Sequence, residues 1–159
     1  MGKENLKDYL PAITLVALCL VMPRGAFGAG EPWYGPLIYH FTHVNIFHLL
    51  TNWLVIARFK PRWVNVPCAY LSASAAAYCP LIEVSIPTCG MSAMVFALLA
   101  RRDAILGIFN WRLLLFNFVF AFFPNFNWKI HLMSYLIAFA FWRLKKLCSK
   151  VKKQKSNEG

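Results

Sequence analysis

The sequence predicts an all-α polytopic membrane protein, a bundle of six transmembrane helices with both termini in the cytoplasm. Two observations favour this class. Of the 159 residues, 59% are hydrophobic and only 14% are charged, whereas soluble domains carry about 25% charged residues. The basic residues also lie in clusters between apolar runs. We expect one domain for this length, divided into a membrane domain over residues 1–146 and a basic cytoplasmic tail over residues 147–159.

The apolar runs predict six helices in order along the chain. They cover residues 10–22, 39–59, 63–79, 90–100, 105–123 and 128–144. The first run is short for a span, and the small residues at 26–30 behind it also resemble a signal-peptide cleavage region. A retained first helix is the favoured interpretation. The fourth run is about two-thirds of a span, so it is predicted to begin inside the bundle.

The distribution of positive charge predicts the orientation. If the N-terminus is cytoplasmic, every Lys and Arg except Arg24 and Lys129 lies on the cytoplasmic side, as the positive-inside rule requires. This topology places His48, Ser92 and His131 in the outer half of the membrane. The expected location is a multi-pass one in a bacterial cytoplasmic membrane, where the basic tail would contact anionic lipid. No nucleic-acid partner is predicted.

Ser92 is the candidate nucleophile, in the segment Gly90-Met91-Ser92-Ala93 at the start of the fourth run. Unpaired backbone N–H groups and the positive end of the dipole at a helix start favour a developing oxyanion. A serine hydroxyl needs a base within hydrogen-bond reach, and His131 in the sixth run is the predicted base. A serine in an apolar helix more often has a packing role, so this interpretation depends on the surrounding residues.

His48 and Asn52 are predicted to donate hydrogen bonds to that oxyanion. They are four residues apart and therefore share a helix face, and both side chains carry N–H donors. One such donor typically contributes about 10²–10³ in rate. His43 is predicted to orient the nearby loop or a water molecule.

Two other kinds of site, a metal site and a proton-transfer path, are less consistent with these residues. A metal could be held by His43, His48 and His131, but the first two are five residues apart and do not share a helix face. A proton-coupled transporter would commonly use Asp or Glu in its spans, whereas every carboxylate, Asp103 included, is predicted to lie in a loop or at a terminus. The five cysteines form no CxxC pair and are expected to be free thiols. No metal or other cofactor is predicted.

Together these residues resemble the rhomboid family of intramembrane serine proteases. The stretch from His43 to Asn52 is similar to the family's H-x4-H-x3-N pattern, and residues 90–93 are similar to its G-x-S-x motif. His131 stands where the family has its catalytic histidine. The similar region extends over most of the chain.

The resemblance implies a role for each residue. Ser92 would be the nucleophile and His131 the general base, a dyad without a third carboxylate. His48, Asn52 and the Ser92 backbone N–H would form the oxyanion hole. The supporting residues would be Gly90, His43 and Phe96, of which Phe96 can stack on His131.

The implied function is an intramembrane serine endopeptidase that works through an acyl-enzyme and needs no cofactor. Its substrates would be other membrane proteins, cut in or near their transmembrane segments, and its surroundings would be the lipid bilayer. The alternative is a catalytically silent rhomboid-like protein that binds membrane-protein clients. Such proteins usually lack the serine or the histidine, and both are present here.

Overall fold

The computed structural model describes residues 5–22, 33–82, 86–122 and 126–157. Within these ranges the chain forms seven α-helices: α1 (Leu10–Val21), α2 (Gly35–Ile38), α3 (Ile46–Phe59), α4 (Val66–Ala77), α5 (Ser92–Leu106), α6 (Trp111–Val119) and α7 (Trp128–Asn157). Short 3₁₀ turns lie at Leu6–Asp8, Tyr39–Phe41, Trp63–Asn65 and Phe120–Phe122. The segment at 26–30 that resembles a signal-peptide cleavage region lies outside the described residues.

The core is formed by α4, α5 and α7. α5 packs along α7, α4 packs against both, and α1 packs against α3. Small side chains line the shared surfaces, with Ala73, Ala93 and Ala138 fully buried, so the helix backbones can approach closely. Ser134 on α7 donates a hydrogen bond from Oγ to the Ala93 carbonyl oxygen at 2.7 Å. This contact holds α7 beside the first turn of α5.

Within the described ranges, the structure contains no helix that combines the length and the hydropathy of a transmembrane segment. The longest of the first six helices, α5, has 15 residues and is therefore about 22 Å long, against a hydrocarbon core of about 30 Å. α7 has 30 residues, but its longest stretch without Lys or Arg, residues 130–142, has only 13. The predicted bundle of six transmembrane helices with cytoplasmic termini is therefore wrong, and so is the predicted multi-pass location in a bacterial cytoplasmic membrane.

The predicted spans fail because the helices are interrupted where the apolar runs continue. The run at 39–59 is split: the 3₁₀ turn ends at Phe41, and α3 begins only at Ile46. Asn45 is the N-cap of α3, and its Oδ1 accepts from the His48 backbone N–H at 2.9 Å, a favourable start signal. In the run at 105–123, Gly107 caps α5 with φ +81°, and α6 has nine residues.

Two helices extend beyond their predicted ends. α5 continues to Leu106, so Asp103 lies inside a helix, is 2% exposed and accepts a hydrogen bond from the Tyr135 hydroxyl at 2.9 Å. The expectation that every carboxylate lies in a loop or at a terminus is therefore wrong for Asp103. α7 continues to Asn157, so residues 147–157 of the predicted tail prolong its helix.

Candidate active site

Ser92 is the first residue of α5 and is half-buried. The chain reaches it through Gly90, whose φ is +95°, a conformation that side-chain-bearing residues rarely adopt. The Gly90 backbone N–H donates to the Tyr39 carbonyl oxygen at 2.8 Å, which fixes this turn against the segment before α3. At the first helical position the backbone N–H has no partner within the helix. The hydroxyl and the backbone N–H of Ser92 therefore lie at the positive end of the α5 dipole.

His131, one turn into α7, lies directly beside Ser92. The distance from Ser92 Oγ to His131 Nε2 is 2.7 Å, within the range of a good O–H···N hydrogen bond. A neutral imidazole protonated on Nδ1 accepts the Ser92 proton at Nε2. The two side chains, which are 39 residues apart in the chain, are thus in the relation that an activated serine requires.

Aromatic rings, instead of a carboxylate, hold the His131 ring in place. Phe96 is stacked on it with ring centroids 4.9 Å apart and an interplanar angle of 18°. Phe126 lies on another side at 5.0 Å and 49°. His131 Nδ1 has no hydrogen-bond partner among the described residues. The predicted stacking of Phe96 is therefore present, and the ring orientation comes from packing.

His131 is neutral at pH 7. Its side chain is 5% exposed, and burial, with a smaller contribution from the charge of His48, lowers its pKa to about 3. Burial disfavours the imidazolium because the charged form loses its hydration. A neutral ring is the form that can accept a proton from serine.

His48 and Asn52, one turn apart on α3, converge beside Gly90. A Cβ placed on Gly90 would lie 2.8 Å from His48 Nε2 and 3.0 Å from Asn52 Nδ2. Asn52 is 7% exposed, and its Nδ2 has no hydrogen-bond partner within the described part of the chain. A buried donor without a partner is rare in folded proteins and calls for an explanation. An oxyanion next to Ser92 would provide the missing acceptor.

His43 is brought to the site by the extended segment before α3. Its ring contacts that of His48 edge-to-face, with centroids 5.0 Å apart, although the two do not share a helix face. Burial, followed by the charge of His48, lowers the His43 pKa to about 4. His43 therefore supports the ring of His48 as an uncharged wall.

A cavity of about 220 Å³ opens onto Ser92, and neither Asn52 nor His43 lines it. Its lining includes both members of the serine–histidine pair and His48; the other residues around it are Val44, Pro87, Thr88, Cys89, Phe126, Asn127 and Ile130. Asn127 Nδ2 donates to Thr88 Oγ1 at 3.0 Å, which ties the start of α7 to the segment before Gly90. The wall is mainly apolar, so the cavity suits a small side chain next to a polar reaction centre.

Cys89, which was not predicted from the sequence, is a further residue of the site. Its Sγ lies 4.0 Å from His48 Nδ1, and burial raises its pKa, so it remains a thiol. A thiol that donates to Nδ1 leaves the other proton of His48 on Nε2, which faces Gly90. The only sequence signal was its position immediately before Gly90.

A second serine–histidine pair lies elsewhere in the same molecule. His40 Nε2 is 3.0 Å from Ser74 Oγ on α4, and burial lowers the His40 pKa to about 3. The two residues are 0% and 3% exposed, and neither lines the cavity at Ser92. This pair was not predicted from the sequence.

Among the described residues, no group of three or more His, Cys, Asp or Glu side chains could hold a metal ion. Comparison of the chain with protein-family models, with curated proteins and with solved structures found no match.

Proposed function

We propose that the protein is a serine endopeptidase of the rhomboid type, with Ser92 as nucleophile and His131 as general base. The observation that carries the proposal is the 2.7 Å contact between Ser92 Oγ and His131 Nε2 on the wall of an open cavity. The donors of His48 and Asn52 beside Gly90 give independent support. The proposal concerns the chemistry of this site and does not depend on a transmembrane topology.

The first half-reaction forms an acyl-enzyme. Ser92 Oγ attacks the carbonyl carbon of the scissile peptide while its proton passes to His131 Nε2. The negative charge that develops on the carbonyl oxygen is stabilised by the Ser92 backbone N–H, by Asn52 Nδ2 and by His48 Nε2. The C–N bond then breaks, and the amine leaves with the proton from His131.

The second half-reaction regenerates the serine. His131 removes a proton from a water molecule, whose oxygen attacks the ester carbonyl carbon. The bond from that carbon to Ser92 Oγ breaks, and Oγ recovers the proton from His131. The imidazolium formed in each half-reaction lies against Phe96, whose ring face attracts a cation. This contact replaces part of the stabilisation that a carboxylate would supply.

The proposed substrates are segments of other membrane proteins, cut in or near a transmembrane helix. The apolar cavity wall, with Val44, Phe126 and Ile130, supports an apolar peptide with a small residue at the cleaved bond. A helical peptide bonds its own carbonyl groups, so the substrate must unwind locally before Ser92 can attack. Segments weakened by Gly or Pro meet this condition most easily.

The test is labelling with a fluorophosphonate, which reacts with activated serines, together with cleavage of a reporter protein that carries one transmembrane segment. We expect the wild type to be labelled on Ser92 and to cut the reporter. Ser92→Ala should lose both properties, and Ser74→Ala should keep both, because the Ser74–His40 pair is closed to solvent.

Two results would contradict the proposal. If the folded wild type takes no label and cuts none of several reporters, the binding-only alternative is supported. If Ser92→Ala cuts the reporter at the wild-type rate, the activity belongs to another site or to a contaminant.

A further inference from the structure

A second, larger cavity lies on a different part of the molecule, between α4 and α7. It has a volume of about 450 Å³, within the range of small-molecule sites. Its walls are mainly apolar, with Pro67, Leu71 and Ala75 from α4 and Ile137 and Phe141 from α7. Along α7 it extends for about 12 Å, from Ile137 to Lys145. We refer to it as the α4–α7 groove.

One end of the α4–α7 groove is cationic. Lys145 and Trp142 line this end, and the Lys145 ammonium lies 4.8 Å from the centroid of the Trp142 ring. The Arg101 guanidinium lies over the same ring at 5.0 Å. Two cations on one indole ring form a site of concentrated positive charge, whereas the far end, at Ala75 and Ile137, is apolar.

Arg101 connects the groove to a neighbouring basic cavity. That cavity has a volume of about 220 Å³ and is lined by Lys60, Arg62, Arg101 and Arg102, among others. The charge of Arg62, after burial, lowers the pKa of Arg101, and Arg101 Nε has no hydrogen-bond partner among the described residues. The carboxylates of the described ranges are Asp8 and Asp103, and neither lines either cavity.

We propose that the α4–α7 groove binds an anionic phospholipid. One acyl chain occupies the apolar walls towards Ala75 and Ile137, and the phosphate group is bound by Arg101, Lys145 and Arg62. Charge complementarity selects the head group, because guanidinium groups bind phosphate through paired, charge-assisted hydrogen bonds. This site is separate from Ser92, and the inference does not rest on the proposed peptidase function.

The polarity of the walls favours a lipid over an acidic peptide. A peptide backbone brings N–H and C=O groups that must be paired when they are buried. Apart from Trp142 and Lys145 at the cationic end, the groove offers few partners besides Cys68 and Ser72. An acyl chain has no such requirement, and its burial is favourable because it removes apolar surface from water. The arrangement of a cationic end and an apolar end therefore matches an amphiphile.

The experiment measures quenching of tryptophan fluorescence by a phosphatidylglycerol with brominated acyl chains. The full-length protein is kept in micelles of a nonionic detergent, and the lipid is added in increasing proportion. We expect saturable quenching, much of which disappears in Trp142→Phe. Lys145→Gln and Arg101→Gln should each raise the half-saturating lipid fraction about tenfold, equivalent to about 1.4 kcal/mol. Ala75→Phe, at an exposed position of α4, should do the same by filling the apolar end.

The matched control is Lys152→Gln, which removes an exposed charge from α7 beyond the groove. It should bind as the wild type does. If Lys152→Gln weakens binding as much as Lys145→Gln, the attraction is diffuse and the proposal is wrong. If inorganic phosphate competes with the lipid and Ala75→Phe has no effect, the site binds small anions only and the proposal is wrong. Binding of phosphatidylcholine equal to that of phosphatidylglycerol would also contradict the proposal. Should Arg101→Gln fail to fold, Lys145→Gln and Ala75→Phe decide the question.

Discussion

Among the described residues, two serine–histidine pairs have a similar contact and similar histidine pKa values but different surroundings. The hydroxyl-to-imidazole distance is 2.7 Å in the Ser92–His131 pair and 3.0 Å in the Ser74–His40 pair. Burial lowers the pKa of both histidines to about 3, so both rings are neutral at pH 7. Neither the distance nor the protonation state distinguishes a reactive serine from a structural one.

Their surroundings differ in three respects. Ser92 begins a helix, whereas Ser74 lies within α4, where its backbone N–H is used by the helix. Ser92 faces a cavity, whereas Ser74 is almost completely buried. Two side-chain donors converge beside Gly90, whereas aromatic rings of Tyr39 and Tyr70 surround His40, at centroid distances of 3.8 and 5.1 Å. Access and oxyanion donors, more than the pair itself, are what make a candidate site.

The largest expected effect separates the two serines directly. Ser92→Ala should lower kcat/KM for a reporter substrate by at least about 10⁴-fold, because the nucleophile is lost. Ser74→Ala should leave kcat/KM within about threefold of the wild type. It should instead lower the free energy of unfolding by about 1–3 kcal/mol, since His40 loses a buried partner. Initial rates measure kcat/KM, and chemical denaturation measures the free energy of unfolding. A Ser74→Ala enzyme with low kcat/KM and wild-type stability would contradict this distinction between the two serines.

Alanine substitutions at Gly90 and Gly107 test whether activity requires the close approach of the Gly90 backbone to His48 and Asn52. Both glycines have positive φ, so alanine at either position should cost about 1–3 kcal/mol of stability through backbone strain. Only at Gly90 would the new Cβ meet the His48 ring, at 2.6 Å; at Gly107 it would meet Arg143 at an ordinary 3.5 Å.

Gly90→Ala should therefore also lower kcat by at least about 10²-fold, through displaced donors, while Gly107→Ala should not. Rates measured under conditions where both variants are folded give the answer. Equal losses of activity would mean that strain alone explains the requirement for glycine.

Substitution of Asn52 removes one of the two side-chain donors beside Gly90 and tests whether they distinguish the Ser92 site from the Ser74 pair. Asn52→Ala should lower kcat by about 10²–10³-fold with little change in KM, because its hydrogen bond is made to the charge of the transition state. Asn65→Ala is the matched control: Asn65 is also a buried amide, 4% exposed, but it lines the basic cavity. An Asn52→Ala enzyme with a raised KM and an unchanged kcat would assign Asn52 to substrate binding.

The pH dependence should treat the two histidines alike in stability and differently in activity. The folded-state pKa of each lies below the ordinary 6.5, so between about 6.5 and 3 the unfolded chain binds a proton that the folded chain does not. Stability should fall as the pH is lowered through this window, by up to about 1.4 kcal/mol per pH unit for each histidine.

The acid limb of kcat/KM should lie well below pH 6.5, because only the neutral form of His131 acts as a base. Rates from short assays, with the folded fraction measured at each pH, separate this limb from unfolding. An acid limb between pH 6 and 7 would show that the site is hydrated and that burial does not control the pKa of His131.

The predicted proximity of Ser92 to His131, and of His48 to Asn52, is present in the structure, whereas no described helix has the properties of a transmembrane span. The catalytic roles of these residues stay a prediction. The shared face of His48 and Asn52 follows from a spacing that acts over a single helical turn. The contact between Ser92 on α5 and His131 on α7 joins residues 39 positions apart and depends on how these helices pack.

The transmembrane topology failed because hydropathy averages over residues and does not register where a helix stops. The break between Phe41 and Ile46 and the cap at Gly107 both lie within apolar runs.

The sequence by itself determined the helical class, the shared helix face of His48 and Asn52 and the chemistry available at Ser92. These features depend on residues within a few positions of one another, so local rules are sufficient. Only the tertiary structure decided which serine meets which histidine and that Asp103 is buried against Tyr135. The partners are more than 30 residues apart, and their meeting depends on how α4, α5 and α7 pack, because packing is a property of whole helix surfaces that no local spacing encodes.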